Sequence, residues 1–338
     1  MTLFAEYGQI LILLACLFGL FMAWGVGAND VANAMGTSVG AGALTIKQAI
    51  LIAMVFEFAG AYLAGGEVTS TIRKGIIDSS VLADTPELLV YGMLSALLAA
   101  GTWLLIASIM GWPVSTTHSI IGAIVGFAAV GISPDAVNWG KVGTIVASWV
   151  VSPVMAGTVS YMLFRSVQKL ILTQEDPFNR AKKFIPIYMF AVGFLIAMVT
   201  MVKGLKHVFK DAGIAMSFGE CMLVAAGVIV SIVGGILLHR VQRDEQAERY
   251  NRFASVEKVF AVLMIFTACA MAFAHGSNDV ANAVGPLAAV VSVVNSGAVG
   301  AKSIMPSWIL LLGGRRHYVG ASDLWLQRNG HHRQKNYR

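Results

Sequence analysis

Charge is what this sequence most lacks. Only 12% of its 338 residues are Asp, Glu, Lys or Arg, against roughly a quarter in an ordinary soluble domain, while 57% are hydrophobic. A water-soluble fold has no interior large enough to hide that much apolar surface, so that class is excluded. Cysteine is scarce too. Cys16, Cys221 and Cys269 each stand alone in an apolar run. That excludes a disulfide framework and a cysteine-based metal site, and predicts small buried hydrophobes. The N-terminus has no basic stretch before its first apolar run and no small-residue cleavage site. The run is therefore expected to stay as a transmembrane helix rather than leave as a signal. No polar interval is long enough for a folded domain outside the membrane.

What is present is a series of apolar runs. Residues 10–28, 88–109 and 185–202 contain no charge at all. At 1.5 Å per residue each can cross the roughly 30 Å hydrocarbon layer. Further runs lie at 47–65, 112–130, 142–164, 216–238 and 257–275, with shorter ones at 286–294 and 304–312. The prediction is an all-α polytopic protein of the cell membrane, with the lipid bilayer as its main surrounding. The net charge of +6 does not indicate nucleic acid, because the basic residues gather in two loops, 165–183 and 239–258. Two spans separate those loops, so they share a face, which the positive-inside rule makes cytoplasmic.

Within this apolar background one polar decapeptide is written twice, GANDVANAMG at 27–36 and GSNDVANAVG at 276–285. Seven candidate spans run from 47–65 to 257–275, and an odd number of crossings brings the second copy to the membrane from the opposite side. That is the pattern of an inverted-repeat secondary transporter. The chain then divides into a first repeat (1–164), central helices and loops (165–256), the start of a second repeat (257–312) and an atypical basic tail (313–338).

On a helix, Asn29, Asp30 and Asn33 share one face, and Asn278, Asp279 and Asn282 repeat the arrangement. Flanking glycines and Pro286 predict broken or re-entrant helices whose freed carbonyls line a cavity. Carboxylate, amide and carbonyl oxygens suit a hard cation such as sodium better than zinc or copper. A lone intramembrane Asn is explained well enough by helix–helix hydrogen bonding. An ionisable Asp is a functional candidate, and a pattern repeated over ten residues strengthens it. Glu57, deep in its span, is expected to face a pore or a cation.

A second constellation is GWPVSTTHSIIGAIVG, 111–126. Pro113 ends or opens a helix, and Ser115, Thr116 and Thr117 would add hydroxyls to the free N–H groups of a helix start. A tetrahedral oxyanion needs such donors once it loses its water, and His118 could donate to it or carry a proton. An ordinary Ser/Thr cap explains the same residues without an anion. Gly122 and Gly126 read as close helix packing. Burying a bare anion in low dielectric is prohibitive; cations held beside it offset the cost. The combination is a design for cation-coupled symport of an oxyanion.

These segments, GANDVANAMGTSVGAGALTIKQA, AHGSNDVANAVG and GWPVSTTHSIIGAIVG, resemble the signatures of the inorganic phosphate transporter (PiT) family, over roughly residues 8–312. TSTIRKGIID at 69–78 is similar to the sodium-coupled branch. The resemblance implies an inverted-repeat helical fold, often homodimeric, which carries inorganic phosphate with a coupling cation, sodium or protons, and needs no cofactor. It also implies that Ser115, Thr116, Thr117, His118, Asn33 and Asn282 contact phosphate. Asn29, Asp30, Glu57, Asn278 and Asp279 would serve the cation, with Asp30 and Asp279 as sodium ligands. A second PxSTTH-type motif expected in the late half is absent, and the sequence changes character at Gly313, as a frameshift or truncation would produce. Other readings are a proton-coupled, metal-phosphate or sulfate symporter of the same fold, a non-transporting receptor or remnant, and a hydrolase using Ser115 and His118. The last leaves the repeated decapeptide without a role.

Overall fold

The computed structural model describes residues 3–77, 82, 85–201 and 216–299; the expected run at 304–312 and the tail at 313–338 lie outside them. The described residues form helices α1 (Leu3–Gly40), α2 (Ile46–Gly75), α3 (Pro86–Met110), α4 (Thr116–Phe127), α5 (Trp139–Val167), α6 (Pro177–Thr200), α7 (Met216–His239), α8 (Glu245–Tyr250) and α9 (Ala254–Ser296). Among the described residues, seven helical stretches are long and apolar enough to cross a membrane. Local chemistry sets several ends. Pro177 opens α6 behind Asp176, whose side chain accepts from the Asn179 amide, so an otherwise orphaned N–H is satisfied. Asp244 does the same for α8 through Ala247.

The chain forms two units. One holds Met1–Gly36, Ile50–Val142 and the chain from Ala272; the other holds Thr37–Ala49 and Gly143–Met271. In the second, α6 and α7 pack closely enough that a Cβ at Gly193 would lie 2.8 Å from the Val230 side chain. Ile171, Phe178, Ile185, Met189, Val256 and Val259 form the core there. No residue of α5 is buried. In the first unit the closest approach is between α2 and α9. A Cβ added at Gly60 would land on the Phe273 carbonyl, and one at Gly276 on the Glu57 carbonyl. The backbones therefore touch, which brings polar side chains on both helices together.

Several expectations need correction. Both decapeptides lie inside unbroken helices, α1 and α9, so the glycines around them do not interrupt the helix. The break falls at 111–115, between α3 and α4. The run at 112–130 is an irregular turn followed by a helix too short to rank with the candidate spans, a broken element of the expected kind at a different place. A Cβ at Gly122 or Gly126 would meet nothing within 4 Å among the described residues. Close packing sits at Gly60 and Gly276 instead. Of the three cysteines, Cys221 is exposed and the others are half-buried, as a membrane-facing surface permits.

Candidate functional site

The site is assembled entirely within the first unit, starting at the α3–α4 break. Gly111 closes α3 in the left-handed region at φ 73°, returning its N–H to Ala107 and Ser108. A side chain is strained in that conformation and glycine is not. Pro113 then keeps the chain extended, and Ser115, at φ −85° and ψ 121°, caps α4 by accepting from the His118 backbone N–H at 3.3 Å. Asn29 of α1 stitches the break from the side. Its Nδ2 donates to the Trp112 carbonyl at 3.1 Å and its Oδ1 accepts from the Val114 N–H at 3.4 Å. Asn29 is 1% exposed, so its own amide depends on these two bonds rather than on water.

Past the cap, Thr116 and Thr117 turn toward α9. The Thr116 hydroxyl donates to Asp279 Oδ1 at 3.3 Å. The Asn282 amide nitrogen reaches Thr117 Oγ1 at 2.9 Å, and Thr116 Oγ1 and Asp279 Oδ1 each at 3.3 Å. Asn282 is itself 1% exposed, and its Oδ1 has no hydrogen-bond donor among the described residues. A buried amide oxygen left without a donor costs roughly 1–3 kcal/mol, and a cation in contact with it would remove that cost.

On the other side of Asp279 lies an acidic cluster built around His275. Its Nδ1 is 3.0 Å from Glu57 Oε1. Its Nε2 is 2.9 Å from Asp279 Oδ2, off the ring's hydrogen-bonding axis, and 3.9 Å from Asp30 Oδ2. Asp30, His275 and Asp279 each offer a ligand atom within 4.8 Å of the others. Three carboxyls on three helices thus meet one imidazole, and the cluster holds more acid than base. Glu57 is 3% exposed, too dry for a second carboxylate's charge to go uncompensated.

The structure therefore brings Asp30, Glu57, Thr116, Thr117, Asp279 and Asn282 together. It separates others. Ser115 and His118 are exposed, and the Ser115 hydroxyl is engaged by the His118 backbone rather than arranged as a nucleophile beside its base. Asn278 is exposed, with its amide on the Ala274 carbonyl, although its counterpart Asn29 is buried. The Asn33 side chain lies outside the described residues, as do those of Arg73, Lys74 and Glu220. Sequence reasoning missed His275. The signal was available where the copies differ just before their shared glycine, since His275 precedes Gly276 where Val26 precedes Gly27.

Asn29→Ala is expected to raise the KM for the transported anion about tenfold while leaving the apparent affinity for the coupling cation within twofold. The substitution leaves the Trp112 carbonyl and the Val114 N–H at the break without their side-chain partner, at up to roughly 1–3 kcal/mol, and loosens the start of α4. Transport kinetics with anion and cation titrated separately measure both numbers.

Comparison with known proteins shows what the whole chain is similar to. A family model described as the phosphate transporter family matches residues 26–325, continuing past the change in composition at Gly313. A Haemophilus influenzae protein named as a candidate phosphate permease is 51% identical over 324 residues, covering 95% of this chain and 76% of the relative. A Pyrococcus abyssi protein similarly named is 43% identical over 312 residues, covering 92% of this chain and 74% of its own length. A solved structure described as the sodium-dependent phosphate transporter matches with a TM-score of 0.83 at 38% identity, over 93% of this chain and 76% of that one. These relatives are membrane permeases, and this chain is likewise a multi-pass protein of the cell membrane rather than an enzyme.

Proposed function

Because the chain belongs to the phosphate transporter family, we propose that it is a symporter that moves inorganic phosphate across the membrane with sodium as the coupling ion. One observation carries this reading: Asp279 touches both halves of the site. Its Oδ1 accepts from Thr116 at the start of α4, and its Oδ2 faces His275, with Asp30 and Glu57 behind. Groups that favour a cation and groups that favour an anion share one carboxylate.

The roles follow from the donor chemistry. Thr116 and Thr117 hydroxyls and the free N–H groups of α4 offer a phosphate hydrogen bonds and the positive end of a helix dipole. Ser115 and His118 flank that position in sequence and, with Asn33 of the first decapeptide, belong to the same phosphate assignment. Asp30, Asp279 and the Asn282 amide oxygen form an oxygen-rich set suited to sodium. Glu57 orients His275 against both aspartates, and Asn29 holds the anion cradle in shape. Asn278, exposed on α9, is the weakest member of the cation assignment. Sodium beside Asp279 lowers the cost of bringing phosphate into a dry site, and phosphate in turn tightens sodium, since coupling between two ligands is reciprocal. Assembly as a homodimer belongs to the same proposal and is read from the mass of the detergent-solubilised protein.

The test is uptake of radiolabelled phosphate into proteoliposomes holding this chain, with an inward sodium gradient compared with potassium at matched pH. Sodium should raise the initial rate at least about tenfold, and Asp30→Asn should remove the increase. Equal uptake in potassium would reject sodium coupling, and a proton gradient or sulfate competition would then identify the alternative passengers.

A further inference from the structure

The end of α5 carries a second polar feature, far in sequence from the phosphate site. Arg165, Ser166, Gln168, Lys169 and Thr173 line a cavity of about 440 Å³, within the roughly 300–1,000 Å³ typical of ligand sites. It lies on the face of the two basic loops. Its two cations face no carboxylate among the described residues. Among the described residues Arg165 bonds the Gln168 amide oxygen, at 3.1 Å, and Lys169 has no ion pair there. Elsewhere in the same unit Arg243 is matched to Glu248 at 2.9 Å and to Asp176 at 3.6 Å, and Lys258 to Asp244 at 2.9 Å. Arg180, Lys182 and Lys183 also form no ion pair among the described residues but do not line this cavity. The cavity thus concentrates positive charge that the protein itself leaves uncompensated.

Its position names the anion. The apolar run of α5 ends at Phe164 and the polar residues begin at Arg165, so the cavity sits where the hydrocarbon layer gives way to headgroups. One turn further in, Tyr161, Met162, Leu163 and Phe164 are each more than half exposed, and α5 has no buried residue among those described. A free anion has no use for that surface; an acyl chain does. We propose that this cavity binds the headgroup of an anionic phospholipid, with its acyl chains lying along the exposed face of α5. The phosphodiester takes the Arg165 guanidinium fork, which matches two phosphate oxygens, and Lys169 adds a mobile point charge one helical turn on.

The proposal is tested by native mass spectrometry of the full chain in neutral detergent. Phosphatidylglycerol, phosphatidylcholine and inorganic phosphate are titrated separately. Phosphatidylglycerol should bind at least about tenfold more tightly than phosphatidylcholine. Arg165→Gln with Lys169→Gln should weaken it about thirtyfold, from roughly fivefold per charge removed at a membrane surface. Arg165→Lys with Lys169→Arg should retain most of the binding. Arg180→Gln with Lys182→Gln, near the start of α6 and outside the cavity, should change it less than twofold. Equal loss in the two glutamine pairs would reduce the effect to a diffuse basic surface and overturn the site. Equal affinity for the two lipids would overturn it as well. Inorganic phosphate binding as tightly as phosphatidylglycerol, and lost with Arg165 and Lys169, would replace the lipid by a free anion and likewise refute it.

Discussion

Asp279→Asn is expected to abolish sodium-driven phosphate uptake, lowering kcat/KM at least about a hundredfold, with the folded chain still recovered from the membrane. The substitution keeps the side chain's size and its acceptor toward Thr116, but it removes the negative charge that faces His275 and the proposed sodium position. Breaking one member of a buried charge cluster costs roughly 3–5 kcal/mol, and about 1.4 kcal/mol corresponds to a factor of ten. The same variant should no longer gain thermal stability when sodium is added, because the ligand that links cation binding to the folded state is gone. Asp244→Asn is the control: that carboxylate pairs with Lys258 at 2.9 Å in a loop outside the spans, and its loss should leave uptake within twofold. A wild-type sodium response in the Asp279 variant would move cation coupling away from this cluster.

The second large effect is structural. Gly60→Ala and Gly276→Ala should each destabilise the protein by about 3 kcal/mol, the upper part of the usual range for overpacking. At each position the new Cβ would fall on a carbonyl of the facing helix backbone, Phe273 for Gly60 and Glu57 for Gly276. A backbone pinned by helical hydrogen bonds cannot swing aside as a side chain can, so α2 and α9 would have to separate. Separation would pull Glu57 from its 3.0 Å contact with His275, and transport should fall together with thermal stability. Gly122→Ala and Gly126→Ala, with open space at both positions, should change the melting temperature by no more than a degree or two. Thermal unfolding followed by size-exclusion chromatography ranks the four variants; equal tolerance at Gly60 and Gly276 would refute the close crossing.

Some of this was legible without a structure, because it depends on short-range chemistry. The scarcity of charge and the length of the apolar runs determine a helical membrane protein, since backbone polar groups in lipid must be satisfied within each segment. Pro113 and Ser115 determine the break and the start of α4, because capping joins residues three apart. The twinned decapeptides marked Asp30 and Asp279 as the groups around which a site would form. The tertiary structure decided what those signals could not. Asn29 and Asn278 occupy the same place in near-identical motifs, yet one is buried on the Trp112–Val114 backbone and the other is exposed. Their fates depend on which parts of the chain surround each of them, which the decapeptide does not encode. Glycine pairs looked alike as well, and only the crossing of α2 with α9 separates Gly60 and Gly276 from Gly122 and Gly126. His275 became the centre of the acidic cluster because α1, α2 and α9 converge on it. Its partners Glu57 and Asp30 lie more than two hundred residues away along the chain, a separation at which local periodicity carries no information and only packing decides.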